Sequence, residues 1–145
     1  MELGPVTGKN FNNVSEILSA SFPVRYDSDF FASLERSDCQ FAYLNDFLIG
    51  CIVCRRDPLN VFYVLALATL APYRRLGVAS ALLQWAETRA LSLGCSQISL
   101  HVRASDAVAI AFYQSRGFVE TGRIAGYYPL DGDADALLLA KQSPA

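Results

Sequence analysis

Tyr63-Val64-Leu65-Ala66-Leu67-Ala68-Thr69-Leu70-Ala71-Pro72-Tyr73-Arg74-Arg75-Leu76-Gly77-Val78-Ala79 joins an apolar run to a Pro-containing turn, two adjacent arginines and a glycine. It then passes at once into a long amphipathic segment. In the run, Tyr63, Leu65 and Leu67 fall on one face of a strand and Val64, Ala66 and Ala68 on the other. Residues 76–93 follow helical spacing, with Leu82, Trp85 and Ala86 among the buried positions and Gly94 as the stop. A strand that feeds a helix through a Gly-containing turn presents backbone amides that have no helical partner, at the positive end of the helix dipole. A phosphorylated group can approach the main chain closely there. The stretch predicts a diphosphate cradle at the Gly77 turn, a reading that the adjacent Arg74 and Arg75 strengthen.

Outward from this stretch, residues 3–6 read as a first strand. Phe11, Val14, Ile17, Leu18 and Phe22 follow helical spacing and stop at Pro23. The loop Phe22-Pro23-Val24-Arg25-Tyr26 is apolar and aromatic where loops are usually polar, which implies a covered site. Ser28 can cap a short helix to about residue 36. Residues 41–44 and 47–56 form a hairpin around Asn45-Asp46, and Pro58-Leu59-Asn60 turns the chain into a strand over 61–69. In 97–103, Gln97, Ser99, His101 and Arg103 make a polar face and Ile98, Leu100 and Val102 a core face. Ser105 is the expected cap of a helix running to Arg116, Gly117 ends it, and strands follow over 118–125 and 136–141. The order is strand, two helices, three strands, helix, strand, helix, two strands. This is an α/β chain with a mixed central sheet and helices on both faces, expected as one domain over residues 1–145.

Composition narrows the function classes. A net charge of −2 with interspersed signs lacks the concentrated basic face of a nucleic-acid binder and does not suggest binding to anionic membranes. The longest apolar run, 61–71, is far short of the roughly 20 residues of a membrane span. Only 18% of residues are charged, which leaves room for an apolar partner surface. Lys9 and Lys141 are the only lysines, so self-acetylation would have little to act on. The N-terminal residues show no secretory pattern, so a reducing, cytoplasmic setting is expected for Cys39, Cys51, Cys54 and Cys95. Cys51-x-x-Cys54 lies in a strand, which puts its thiols on opposite faces, and no second pair completes a metal site; no metal is expected.

Strand parity brings two candidates for chemistry together. If the strand of Tyr63 and that of His101 are neighbours, as a strand-helix-strand unit suggests, both side chains converge on one cleft. A histidine of ordinary pKa near 6.5 is mostly neutral at pH 7 and can accept a proton directly or through water. A tyrosine near pKa 10 would order a water or an amine, or act as base only if its site depressed that value. A cysteine nucleophile at Cys54 or Cys95 has no second histidine to pair with. Tyr113, on the last helix, could reach a departing sulfur to donate a proton or serve in packing, and Tyr127-Tyr128 can pack apolar groups while their hydroxyls grip a peptide.

The pattern Arg74-x-x-Gly77-x-Ala79 between a strand and a helix resembles the acetyl-CoA pyrophosphate loop of the GNAT superfamily of N-acetyltransferases. Four further segments extend the likeness over nearly the whole chain: Phe22-Pro23-Val24-x-Tyr26, the run from Leu70 to Gly77, Leu100-His101-Val102 and Ala109-x-x-Phe112-Tyr113-x-x-x-Gly117-Phe118. With Tyr127-Tyr128 they resemble the catalytic-subunit family of the NatE N-terminal acetyltransferases. The resemblance implies the GNAT fold and acetyl transfer from acetyl-CoA to the α-amine of protein or nascent-peptide N-termini, those with Met followed by a hydrophobic residue, in a ternary complex. It carries a catalytic pair onto Tyr63 and His101, and a first-side-chain pocket onto Phe22, Pro23, Val24 and Tyr26. Leu65 stands in the substrate site where the family has Met, and Tyr127 and Tyr128 hold the peptide main chain. Acetyl-CoA would lie with its pyrophosphate over Arg75, Gly77, Val78, Ala79 and Ser80, its pantetheine along Leu67 to Thr69 and its sulfur near Tyr113. Ala79 often corresponds to Gly in the family. Asp106 corresponds to an Asn that contacts the cofactor arm, and as Asp it loses the amide donor. NatA-like auxiliary and catalytic subunits are implied partners. The rival readings are a small-molecule or lysine acetyltransferase on the same fold, and a CoA-binding scaffold subunit.

Overall fold

The computed structural model describes residues 1–5, 38–127 and 135–143. The helices expected over 11–22 and 28–36, and Phe22, Pro23, Val24, Tyr26 and Tyr128, lie outside the described residues. The described strands are β1 (Glu2–Gly4), β2 (Asp38–Leu44), β3 (Phe47–Asp57), β4 (Val61–Thr69), β5 (Gln97–Arg103), β6 (Val119–Ile124) and β7 (Ala136–Gln142). The described helices are α1 (Val78–Ser92) and α2 (Ala107–Ser115). The strands form one mixed sheet in the order β1-β2-β3-β4-β5-β7-β6, with β4 and β5 parallel and β7 antiparallel to both β5 and β6.

The chain divides into two compact units, Met1–Arg55 with Leu65–Arg89, and Arg56–Val64 with Ala90–Ala145. In the first, β2 and β3 form a hairpin whose two-residue turn has Asn45 at φ 50° and Asp46 at φ 64°. Positive φ at both turn residues matches the twist of the flanking strands, and Asn and Asp tolerate it better than most residues. β2 begins at Asp38, three residues before the expected start, because the long β3 supplies partners as far as Cys54. Phe41, Leu48, Cys51, Val53, Ala66 and Ala68 make a buried cluster on this part of the sheet. Gln40 ties three elements together: with its amide oriented to satisfy both ends, it donates to the Gly4 carbonyl at 2.9 Å and accepts from Trp85 Nε1 at 3.2 Å.

Burial also settles the chemistry of the cysteines on these strands. It pushes the Cys51 thiol up to about 12, with Cys39 adding to the rise, and drives Cys54 well above its ordinary value, with Asp38 and Cys39 contributing. Both stay protonated near neutrality, so neither offers a thiolate for acyl transfer or metal binding. Among the described residues no group of three or more His, Cys, Asp or Glu is placed to hold a metal ion, and no helix is long and apolar enough to cross a membrane.

The second unit holds β5 between the first half of β4 and β7, in the register Tyr63↔Ser99 and His101↔Leu138. The expected alternation of β5 holds, with one exception. Ile98, Leu100 and Val102 are buried and Gln97, His101 and Arg103 half-buried, but Ser99 is also buried. Its neighbours in register are Tyr63 on one side and Ala140 on the other, and a side chain this small is covered between them. α2 is capped by Asp106, whose Oδ1 accepts from Ala109 N at 3.0 Å. Ser105, the expected cap, precedes that position by one residue.

α1 begins at Val78, two residues later than the spacing suggested, because Arg75 and Gly77 have positive φ and cannot continue a right-handed helix. Its first turn packs against Gly50 of β3. A Cβ there would stand 2.9 Å from Val78 Cγ1, 3.0 Å from the Ala68 carbonyl oxygen and 3.4 Å from Leu82 Cδ1. The glycine is what lets the helix start lie this close to the sheet. Gly50→Ala is expected to cost about 1–3 kcal/mol through overpacking, read as a lower urea midpoint with an unchanged slope. Wild-type stability would show that the α1 start can shift freely.

Candidate active site

The first unit carries the predicted cradle. After β4, Ala71–Tyr73 makes a single 3₁₀ turn, and Arg74 folds back so that its Nε donates to the Thr69 carbonyl at 3.2 Å. Arg75 has φ 64° and Gly77 φ 83°. A side chain on Gly77 would meet nothing within 4 Å, so it is the backbone conformation, not lack of room, that calls for glycine. The first helical hydrogen bond runs from Ala81 N to the Gly77 carbonyl at 3.0 Å. The amides of residues 78–80 precede it at the helix start, where backbone amides point away from the helix and can approach an anionic group. Thr69 Oγ1, at the end of β4, is buried with no hydrogen-bond partner among the described residues. A buried hydroxyl in that state costs about 1–3 kcal/mol unless something else supplies a partner. Leu67 lies two residues before it, half-buried, and Leu65 is exposed.

The second unit carries the predicted pair. Tyr63 and His101 are half-buried, and Tyr63 Oη and His101 Nδ1 lie 2.5 Å apart. The parallel register produces this contact: Tyr63 is level with Ser99, and a long phenol leaning along its strand reaches the next residue of the same face on β5. The imidazole is also covered on one side. The ring of Tyr127 stacks on it with centroids 4.7 Å apart and planes 8° from parallel. Tyr127 was expected only as a peptide contact; the structure puts it on the histidine.

A clamp at the root of the β6–β7 connection accounts for the position of Tyr127. Asp135 Oδ2 accepts from Arg123 Nη2 at 2.9 Å and from Nε at 3.1 Å, while Oδ1 accepts from the Gly126 amide at 3.1 Å. The Asp135 carbonyl accepts from Ala104 N at 2.8 Å. The hydrogen bonds from Arg123 and then Gly126 hold the Asp135 carboxyl below the usual carboxylate range. A depressed pKa means that the bonded form persists as pH falls through about 3.9, and the clamp is lost only in stronger acid. No sequence motif announced it.

Two other predicted residues sit in the same unit. Tyr113 is half-buried on α2, edge-on to Phe112 at 5.2 Å and to Phe118 at 5.7 Å between ring centroids. Asp106, assigned to the cofactor arm by resemblance, has its Oδ1 engaged as the α2 cap.

Residues 11–118 match the model of the acetyltransferase (GNAT) family. The chain is 36% identical to N-alpha-acetyltransferase 50 of Danio rerio, over 97% of this chain and 88% of that protein. It is 33% identical to the probable N-acetyltransferase san of Drosophila melanogaster, over 97% and 80%. Among solved structures it is similar to Arabidopsis thaliana Naa50 in complex with the bisubstrate analogue CoA-Ac-MVNAL, with a TM-score of 0.86 and 31% identity over 97% of each chain.

The capping role of Asp106 has a direct check. Asp106→Ala is expected to lower stability by about 1 kcal/mol, and Asp106→Asn to stay within a few tenths of wild type, since asparagine caps as well as aspartate. Urea unfolding of both variants reads this out. An equal loss in the Asn variant would assign the effect to charge at the helix end instead of the cap.

Proposed function

Because the chain belongs to the acetyltransferase (GNAT) family, we propose that it acetylates the α-amine of protein N-termini beginning with Met and a hydrophobic residue, with Tyr63 and His101 as the proton-accepting pair. The coarser activity is plain from its relatives: it is an acetyl-CoA-dependent N-terminal acetyltransferase. The observation that carries the mechanism is the contact between Tyr63 Oη and His101 Nδ1. For the substrate, the support is the apolar loop Phe22-Pro23-Val24-x-Tyr26 and the Arabidopsis relative, whose bound analogue begins with methionine and valine.

The residues present fit the co-substrate. Left-handed Arg75 and Gly77, the amides of Val78, Ala79 and Ser80, and the buried Thr69 hydroxyl form a site for an anionic, hydrogen-bonding ligand. Acetyl-CoA supplies an activated thioester whose acyl carbon the amine attacks. A peptide α-amine has a pKa of about 7.7–8.0 and arrives largely protonated, so a proton must leave before attack. When the Tyr63 hydroxyl donates to Nδ1, its oxygen can take a proton from the amine or an intervening water while its own proton moves onto Nδ1. The amine becomes neutral, Tyr63 stays neutral, and His101 holds the positive charge until solvent removes it. Tyr113 is the residue assigned to protonate the departing sulfur. The working setting is cytoplasmic, and NatA-like subunits are the partners we assign by resemblance.

A relay makes the two residues one device. Tyr63→Phe and His101→Ala are each expected to lower kcat by about 10² or more, consistent with positioned proton transfer, with CoA affinity nearly unchanged. The double variant should be little worse than either single one, as for residues acting as a unit. Single-turnover kinetics with a Met-Leu peptide read this; wild-type turnover in both single variants would remove the pair from the mechanism.

The substrate is tested with a panel of Met-Leu, Met-Val, Ser, Ala and acidic peptides, an N-blocked peptide with an internal lysine, and spermidine. Selective turnover of the Met-hydrophobic peptides is expected. Preference for lysine or spermidine would move the enzyme to another substrate class, and CoA binding without turnover of any amine would make it a scaffold subunit.

A further inference from the structure

The His101 ring meets Tyr63 at Nδ1 and the ring of Tyr127 on one face. A single contact at Nδ1 leaves an imidazole able to swing about its χ angles, and proton uptake changes its bonding preferences at the moment the geometry matters. A parallel ring at 4.7 Å restricts that swing, and an electron-rich phenol face is attractive to an imidazolium. Tyr127 itself is exposed, on a connection whose near end is fixed by Asp135 bonding both Arg123 and the Gly126 amide, with Gly126 at φ 65°. The glycine conformation and the carboxylate together aim the residue that follows.

We infer that Tyr127 is a positioning residue for acetyl transfer, holding the His101 imidazole by ring stacking so that Nδ1 stays on the Tyr63 hydroxyl as the proton arrives, and that the Asp135 clamp keeps Tyr127 there. This rests on the function proposed above and adds a role distinct from gripping the peptide. Several described residues neighbour His101. Tyr63 stands on β4, and Arg103 lies two residues along β5 on the same face. Leu138 is the register partner on β7, and Tyr127 comes from the connection, with Asp135 and Arg123 bonded to each other at its root. The stacked phenol face is a feature that favours the imidazolium.

His101 is the single histidine of the chain, so its ring can be followed without assignment ambiguity. The experiment compares wild type, Tyr127→Ala, Tyr127→Phe and Asp135→Ala by NMR titration of the labelled imidazole, together with kcat and peptide KM. Tyr127→Ala should lower the titration midpoint by about 0.5, the size expected of one exposed cation–π contact, and reduce kcat about tenfold. Tyr127→Phe keeps the ring and should restore both, whereas a hydroxyl that only grips peptide would be lost in both variants and raise KM in both. Asp135→Ala should follow Tyr127→Ala in direction. An unchanged or higher midpoint in Tyr127→Ala, with His101→Ala inactive, overturns this inference alone. Wild-type turnover in His101→Ala overturns the proposed mechanism and the catalytic purpose of the stack with it.

Discussion

The parallel register of β4 and β5 is the constraint on which the contact between Tyr63 and His101 depends. With Tyr63 level with Ser99, the phenol and the imidazole of His101 are offset by two residues along neighbouring strands, a separation that a tyrosine side chain spans. A shift of one residue would turn His101 to the opposite face, among Ile98, Leu100 and Val102, where an imidazole would be buried in the core. The pairing also dictates connectivity. Parallel strands cannot be joined by a tight turn, so the chain needs a crossover, and α1 with the Gly77 turn is that crossover. The element that makes the parallel pair possible is thus the one that opens at the Gly77 turn.

Much of this was legible in the sequence because two periodicities carry it. Alternation in β4 and β5 placed Tyr63 and His101 on one face, and the strand-to-helix transition through Arg74 to Gly77 marked the crossover. The bounds of β4 and β5 follow directly from those patterns. What was not legible depends on contacts between residues that no local pattern links. Arg123, Gly126 and Asp135 meet although Gly126 and Asp135 are nine positions apart, and nothing in their spacing distinguishes Asp135 from Asp131 or Asp133. The stack of Tyr127 on His101 joins a loop residue to a strand residue 26 positions earlier by the numbering. Single-residue offsets, such as Asp106 for Ser105 at the α2 cap, arise because both residue types cap well and backbone geometry chooses.

The site residues differ in how they are held. Tyr63 and His101 sit on strands with neighbours on both sides, so their backbones are fixed by ladder hydrogen bonds. Tyr127 is exposed and depends on a charge-assisted clamp. In the cradle, Arg75 and Gly77 sit at positive φ and the Thr69 hydroxyl is buried without a partner among the described residues. Conformations of that kind are unfavourable in isolation and persist because the surrounding strand and helix fix the turn.

The burial of Cys51 and Cys54 acquires a further meaning for an enzyme whose co-product carries a free thiol. Each turnover releases coenzyme A, and thiol–disulfide exchange proceeds through thiolates able to reach a partner sulfur. Cys51 and Cys54 are fully enclosed and held protonated, and Cys39, on the neighbouring strand, is pushed up to about 11 chiefly by its own burial, with Asp38 adding to it. The packing that fills the hairpin core thereby also shields Cys51 and Cys54 from mixed-disulfide formation with that product.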